Sequence, residues 1–538
     1  MQISLHYSET IQDWLADKRA LTRWPRPSLM QGAALAVIAL ILLPLAYLLM
    51  RSLGAGVEGL EYLLDGRTLA VIGNSLLLTA AVVVTSIAIG VPFAWLTART
   101  DLPLRRVWLV AGLLTLVIPS YIGAIAYIAA FGPRGLLQQA LEPLGVTALP
   151  PIYGFFGAWL SITLFTYPYI VLPVRAALLN TDPALEESAR SLGLNRWRIF
   201  WRVTLPQLRP ALAAGALLSA LYTLSDFGAV ALMKFNAFTR VIYMQYTNSF
   251  DRERAAILAV VLVLLTMALV HASRRATAQG RNYRTGIGTG RQARIVHLGR
   301  WRVPALLFCA LLVGIGALTP IGVLLSWVVG SGALPENDLT LPALNTVGIS
   351  GLAALVVAVA ALPLAWLAIR RPSGLHRRLY EIAFIGNGVP GLVIALSLVF
   401  FAAHYLPALY QTLPVLIMGY TARFLPLSVG ATGSALTQIS PRLEEAAHCL
   451  GLSGWRVMLR VTVPLARAGI LAGMAMVFLS VMKELPTTLL LSPTGFDTFA
   501  TVIWTAHKEV NFAGVGAPAL LLVSVSALSL MFILKREQ

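Results

Sequence analysis

Glu187-Ser-Ala-Arg-Ser-Leu-Gly193, followed by Trp197, Arg198 and Pro206, is written a second time as Glu445-Ala-Ala-His-Cys-Leu-Gly451, followed by Trp455, Arg456 and Pro464. Every corresponding pair, including Ala189 and Ala447, lies 258 positions apart. Both copies are polar segments between long apolar stretches. In the first copy Pro183 follows Asp182, a capping residue and then proline, which opens a helix. Glu186 and Glu187 fall in its first turn, where the helix dipole favours acids. Gly193 is the natural place for that helix to end. A second short helix from Asn195 then carries Trp197 and Arg198 and stops near Pro206. Pro441, Glu444, Glu445, Gly451, Ser453 and Pro464 repeat the pattern.

The surrounding chain is that of an integral membrane protein. Of 538 residues 58% are hydrophobic and only 12% charged, and the mean hydropathy is +0.77. A span needs about 20 apolar residues. Twelve such stretches are expected, at about 30–50, 72–97, 107–130, 153–177, 209–233 and 255–272, then 303–329, 346–369, 380–403, 411–436, 468–492 and 514–534. The fold class is therefore all-α, about twelve transmembrane helices in two six-helix repeats. Residues 1–29 form an N-terminal segment, in which Ile11, Trp14, Leu15, Leu21 and Trp24 have the spacing of an interfacial helix, a disordered tail being the alternative. Residues 30–272 are the first repeat, 273–302 a basic linker and 303–538 the second repeat. The formal charge of +18 lies between the spans rather than in a soluble basic domain, so it marks orientation and not nucleic-acid binding. The arginines place both termini, the linker and both twin segments in the cytoplasm, against a membrane-lipid surround. The loop 234–254, with Lys234, Arg240, Arg252 and Arg254, is the exception.

The repeat reaches further. Asn74 and Asn345, Pro92-Phe-Ala-Trp95 and Pro363-Leu-Ala-Trp366, and Pro119 and Pro390 share an offset of 271. The first half thus carries about thirteen extra residues, most simply near 131–152. An even number of spans per half gives both repeats the same orientation. The Gly286-Ile-Gly288-Thr-Gly290 run follows no strand and the chain contains no G-x-x-x-x-G-K-[ST] pattern, so no nucleotide site is read here. Cys309 and Cys449 give no disulfide framework.

Among the ionisable residues within apolar spans, Asp226 and the neighbours Lys483 and Glu484 stand out. Asp226 and Glu484 are again 258 apart. A charge at mid-bilayer costs roughly 2.5–3.5 kcal/mol on insertion scales. The two carboxylates read either as a gate lining a pathway, with transient affinity for a cation, or as structural groups. In the structural reading Glu484 pairs with Lys483 or Arg240, and Asp226 caps a helix break at Gly228. No metal site is read from His404, Tyr405 or His507. Tyr121 and Tyr127 read as packing residues.

The twin motif resembles the permease signature of binding-protein-dependent ABC importers, Glu-Ala-Ala, a glycine four residues on, and a later aliphatic-Pro; Ser188 is its one small departure. The resemblance covers essentially the whole chain as two fused permease halves and implies the type I importer fold. It implies that Glu187, Ala189, Gly193, Trp197, Arg198 and Pro206, with Glu445, Ala447, Gly451, Trp455, Arg456 and Pro464, form coupling helices that dock on ATPase subunits. ATP and Mg would then bind a homodimeric ABC ATPase in the cytoplasm, and this chain, in the bacterial inner membrane, would hold no cofactor and be no enzyme. Ser225-Asp-Phe-Gly228 and Met482-Lys-Glu-Leu-Pro-Thr-Thr-Leu-Leu-Leu491 resemble fused permeases of the iron(III) importer group, which implies a periplasmic ferric-binding protein as partner. Thiamine or another small solute is the alternative cargo. A proton-coupled carrier using Asp226 and Glu484 is the alternative from another class, and it has no use for the twin motif.

Overall fold

The computed structural model describes residues 27–181, 183–249, 251–278, 295–330 and 338–536. The expected interfacial helix before residue 27, the glycines at 286–290, Asp182 and the Trp197 side chain lie outside the described positions. Among the described residues there are helices and no strand, only an isolated bridge between Thr100 and Val296. Among these same residues nine helices are long and apolar enough to cross a membrane, and two bent pairs raise the count to eleven. The twelfth expected span is the helix Phe512–Arg536. Exposed leucines such as Leu35, Leu77, Leu307 and Leu355 cover the outside of the bundle, as lipid requires, while each helix satisfies its own backbone groups.

Two spans expected to be straight are broken. Arg105–Leu116 meets Ser120–Leu144 at 101°, and Gly374–Gly386 meets Gly391–Tyr405 at 103°. The residue before a proline is driven out of the helical region, and both breaks end at the paired prolines, Pro119 (ψ 143°) and Pro390 (ψ 141°). The spans expected to run to 233 and 492 also stop early, at Ser225 and Met482, and resume as the short helices Gly228–Leu232 and Pro486–Leu491. Four helix breaks therefore meet in the middle of the protein. Leu136–Leu141 and Glu142–Leu144 lie in the 131–152 stretch of the first half, where the extra residues were expected.

The halves exchange their leading helices. Pro27–Gly54 packs against Thr340–Arg370 and Gly391–Tyr405 of the second half, and Thr319–Gly330 against Ser120–Phe131 of the first. The sequence repeats are thus not independent packing units.

The end of the linker is pinned to the first half. Asp101 accepts a 2.9 Å hydrogen bond from the Leu298 amide and pairs with His297 at 3.0 Å. These bonds, the Leu298 amide first, hold the Asp101 carboxyl below its usual range. A lowered carboxyl contributes above its ordinary pKa and is lost only as pH falls through the lowered value. Hydrogen exchange at the Leu298 amide should therefore stay slow from neutral pH down through the ordinary carboxylate range and speed up below it. Asp101→Asn should raise it throughout the range in which Asp101 is ionised; equal protection there would remove the clasp.

Candidate functional site: paired polar segments and a central charged cavity

The twin segments fold alike. Pro183–Ser191 and Pro441–Cys449 are helices, and each ends on a left-handed glycine, Gly193 at φ +77° and Gly451 at φ +85°. That backbone conformation disfavours any residue with a Cβ. Short helices Arg196–Ile199 and Gly454–Val457 follow. They do not stop near the prolines, as the sequence reading had it. Each continues through a π turn, Phe200–Thr204 or Met458–Thr462, into the next span. Pro206 and Pro464 sit in the first turn of those spans, where their missing N–H costs nothing.

Each segment is held from behind by a buried triad that sequence reasoning missed. In the first half Arg99 Nη2 lies 2.6 Å from Glu186 Oε1, which also accepts from Thr204 Oγ1 at 3.2 Å. In the second, Arg370 Nε lies 3.0 Å from Glu444 Oε2 and donates to Oε1 at 3.2 Å; Thr462 Oγ1 donates to Oε1 at 2.8 Å. Glu444 is fully buried. The available signal was the offset itself: Glu186 and Thr204 recur after 258 positions, Arg99 after 271.

What faces outward is also paired. Ala189 and Ala447 point inward, each 6% exposed, whereas Glu187 and Glu445 are exposed. Leu192 and Leu450, just before the glycines, are 81% and 85% exposed, and Leu185 and Leu443 about half. Arg198, Trp455 and Arg456 are exposed too. Two apolar knobs at one spacing on each segment form a surface suited to a cleft in a partner.

Three of the four helix breaks, those at Pro119, Asp226 and Glu484, line a cavity of about 240 Å³ whose lining includes Ser120, Tyr121, Asp226, Arg423, Lys483 and Glu484; the fourth, at Pro390, backs it through Gly391, which lies against Arg423 and Glu484. The structure thus brings Asp226, Lys483 and Glu484 together, and adds Arg423 from the span Leu413–Gln438. Asp226 takes the hydroxyl of Ser120 on Oδ2 and the Ala229 amide on Oδ1 at 2.9 Å, so it caps the helix break and lines the cavity at once. Glu484 accepts from Thr487 Oγ1 at 2.7 Å. Its cation is neither Lys483 nor Arg240 but Arg423, whose Nε lies 3.1 Å from Oε2 without the alignment of a hydrogen bond. Lys483 Nζ instead crosses to the first half and donates to Leu116 O at 3.2 Å, a carbonyl next to the helix break. His404 and His507 join no such group; among the described residues no three metal-binding side chains converge. Tyr127 is a packing residue stacked on Phe165.

The Arg423–Glu484 pair depends on Gly391. A Cβ there would sit 2.8 Å from Arg423 Cζ and closer still to Glu484 Oε1. Gly391→Ala is expected to push the pair apart and cut transport at least tenfold, since weakening a buried ion pair by about 1.4 kcal/mol is already a factor of ten, with the protein still folded. Uptake by reconstituted protein alongside its melting temperature checks this; unchanged uptake would mean the pair yields freely.

A bundle with two like-oriented repeats, a charged cavity between them and two matched surfaces at one end defines a membrane transport permease. The chain belongs to the family described as "Binding-protein-dependent transport system inner membrane component", whose family model matches residues 87–280 and 359–536. It is 32% identical, over 92% of its length and 95% of the relative's, to the Fe(3+)-transport system permease protein FbpB 2 of Haemophilus influenzae. It is 24% identical to the ferric transport system permease protein FbpB of Actinobacillus pleuropneumoniae, over 78% of this chain and 64% of that one.

Proposed function

We propose that this chain is the membrane subunit of an ATP-driven importer that moves iron(III), handed over by a periplasmic binding protein. Both termini and both twin segments lie in the cytoplasm. The carrying observation is the paired segment: the same exposed leucines and left-handed glycine, braced by the same buried Arg–Glu–Thr triad, at two places on one chain. Two equal surfaces suit two equal ATPase subunits, which bind the ATP and Mg. When those subunits close, each pulls on a segment. The triad passes the pull to the ends of the spans Gly66–Arg99 and Thr340–Arg370, where Arg99 and Arg370 sit. The halves then rock about the cavity between inward and outward states. Asp226, Lys483 and Glu484 line the route, and Lys483 bridges the halves at its bond to Leu116. Iron as cargo rests on the ferric-transport relatives.

The test is ATP-dependent uptake into proteoliposomes carrying the full complex and its loaded binding protein, with iron(III) and thiamine compared. Iron uptake is expected. Thiamine uptake without iron uptake would overturn the cargo, and transport without any ATPase subunit would overturn the class.

A further inference from the structure

The two carboxylates of the cavity are matched by two cations, Arg423 and Lys483, and both cations come from the second half. At the equivalent positions 258 residues earlier the first half has Phe165 and Ser225. The pseudo-symmetric frame is therefore broken in one chemical direction, toward positive charge. The carboxylates are also occupied: Asp226 by Ser120 and the Ala229 amide, Glu484 by Arg423 and Thr487. What remains open is donor capacity. The Tyr121 hydroxyl is buried and has no hydrogen-bond partner, the Arg423 guanidinium has donors beyond the Nε that faces Glu484, and the Lys483 ammonium spends one of its three protons on Leu116 O.

A bare trivalent cation suits such a site poorly. It would meet two carboxylates that are already engaged, Glu484 by Arg423, and the Lys483 ammonium, which no carboxylate pairs, in a low-dielectric surround where uncompensated charge is expensive. An oxyanion complex of the same ion reverses each point. Its ligand oxygens carry the compensating negative charge and accept from Lys483, Tyr121 and Arg423. A cavity of about 240 Å³ is also far larger than the space one water needs, on the order of 10–15 Å³.

Resting on the iron reading, we propose that the cavity passes iron(III) only together with an oxyanion ligand, a polycarboxylate or phosphate, whose oxygens are received by Lys483, Arg423 and Tyr121. The protein supplies donors to the outer oxygens of the complex, and the travelling anion supplies the ligands to the metal.

The experiment uses the complete importer in proteoliposomes, with radiolabelled iron(III) on the binding protein and either carbon-14 citrate or phosphorus-32 phosphate as the only anion able to complex it. The expected result is ATP-dependent entry of iron together with one of the anion labels, in fixed proportion. Lys483→Met should lower both together about tenfold, the loss of one charged hydrogen bond, and Lys483→Arg should retain most of it. Melting temperature and ATPase co-purification serve to show that the variants are folded and assembled. Iron entering with neither label, or full uptake by Lys483→Met, overturns the proposal while leaving the importer intact. A wild-type complex that takes up no iron overturns the iron reading, and the proposal with it.

Discussion

Glu444→Ala is expected to destabilise the protein by about 3–5 kcal/mol, the range for a buried ion pair that loses one partner, whereas Glu445→Ala, one residue on, should fall within about 0.5 kcal/mol of wild type. The two residues are chemically identical neighbours in the same motif. They differ in where the helix Pro441–Cys449 points them: Glu444 is fully buried and Glu445 is exposed. Removing Glu444 leaves the Arg370 guanidinium, 6% exposed, with only the Ile439 carbonyl at 3.0 Å. It also strips Thr462 of its acceptor. The cost is that of a stranded cation, so removing the cation as well should recover most of it. Arg370→Met combined with Glu444→Leu is expected to melt near wild type, since apolar groups of similar volume often replace a buried pair without loss. Transport should tell the two repairs apart. The apolar double variant keeps the packing but gives up the directional link between segment and span, so it should fold well and import poorly. The checks are melting of the purified protein by intrinsic fluorescence and uptake in proteoliposomes. Equal destabilisation by Glu444→Ala and Glu445→Ala would remove the triad from the account.

The same triad shows where sequence reading reached and where it stopped. Spans, repeats and the glycine-ended helices were legible because they depend on local pattern: apolar length, a capping residue, a proline, a glycine. The burial of Glu444 was not, because the neighbouring carboxylates Glu444 and Glu445 look equivalent until the helix is docked. Arg99 and Arg370 read as orientation charges, since an arginine at the end of a span is what the positive-inside rule predicts; that each turns inward to a partner 74 or more residues away is a tertiary fact. The helix breaks at Pro119 and Pro390 were half visible. The prolines were noticed as a matched pair, but proline within a membrane helix is often tolerated, so spacing alone could not separate a kink from a break. Arg423 escaped notice inside an apolar stretch. It has no twin, and a search for repeats is blind to the residue that breaks the repeat.

Leu192→Asp together with Leu450→Asp is expected to abolish ATPase capture by an otherwise intact permease. Both leucines are more than four-fifths exposed, so their loss should leave the free chain's melting temperature almost unchanged. In the docked complex each would fill a cleft, and a buried anchor of this kind is worth on the order of 2 kcal/mol, more when a carboxylate must be desolvated in its place. The two sites lie on separate segments and their effects should add, weakening association on the order of several hundredfold. One variant alone should leave a complex holding a single ATPase subunit firmly. Co-purification and ATPase activity stimulated by the loaded binding protein are the readouts. Gly193→Val with Gly451→Val makes the contrasting case. Neither added Cβ meets any atom within 4 Å, so those variants act only by forcing the backbone out of its left-handed turn, at roughly 1–2 kcal/mol each. They should tilt the segments and lose capture while the leucines remain. If the glycine variants lose the ATPase and the aspartate variants keep it, the orientation of the segments matters but their leucines are not the docking surface. If both keep it, the twin segments are not the handle at all, and a different cytoplasmic face must be sought.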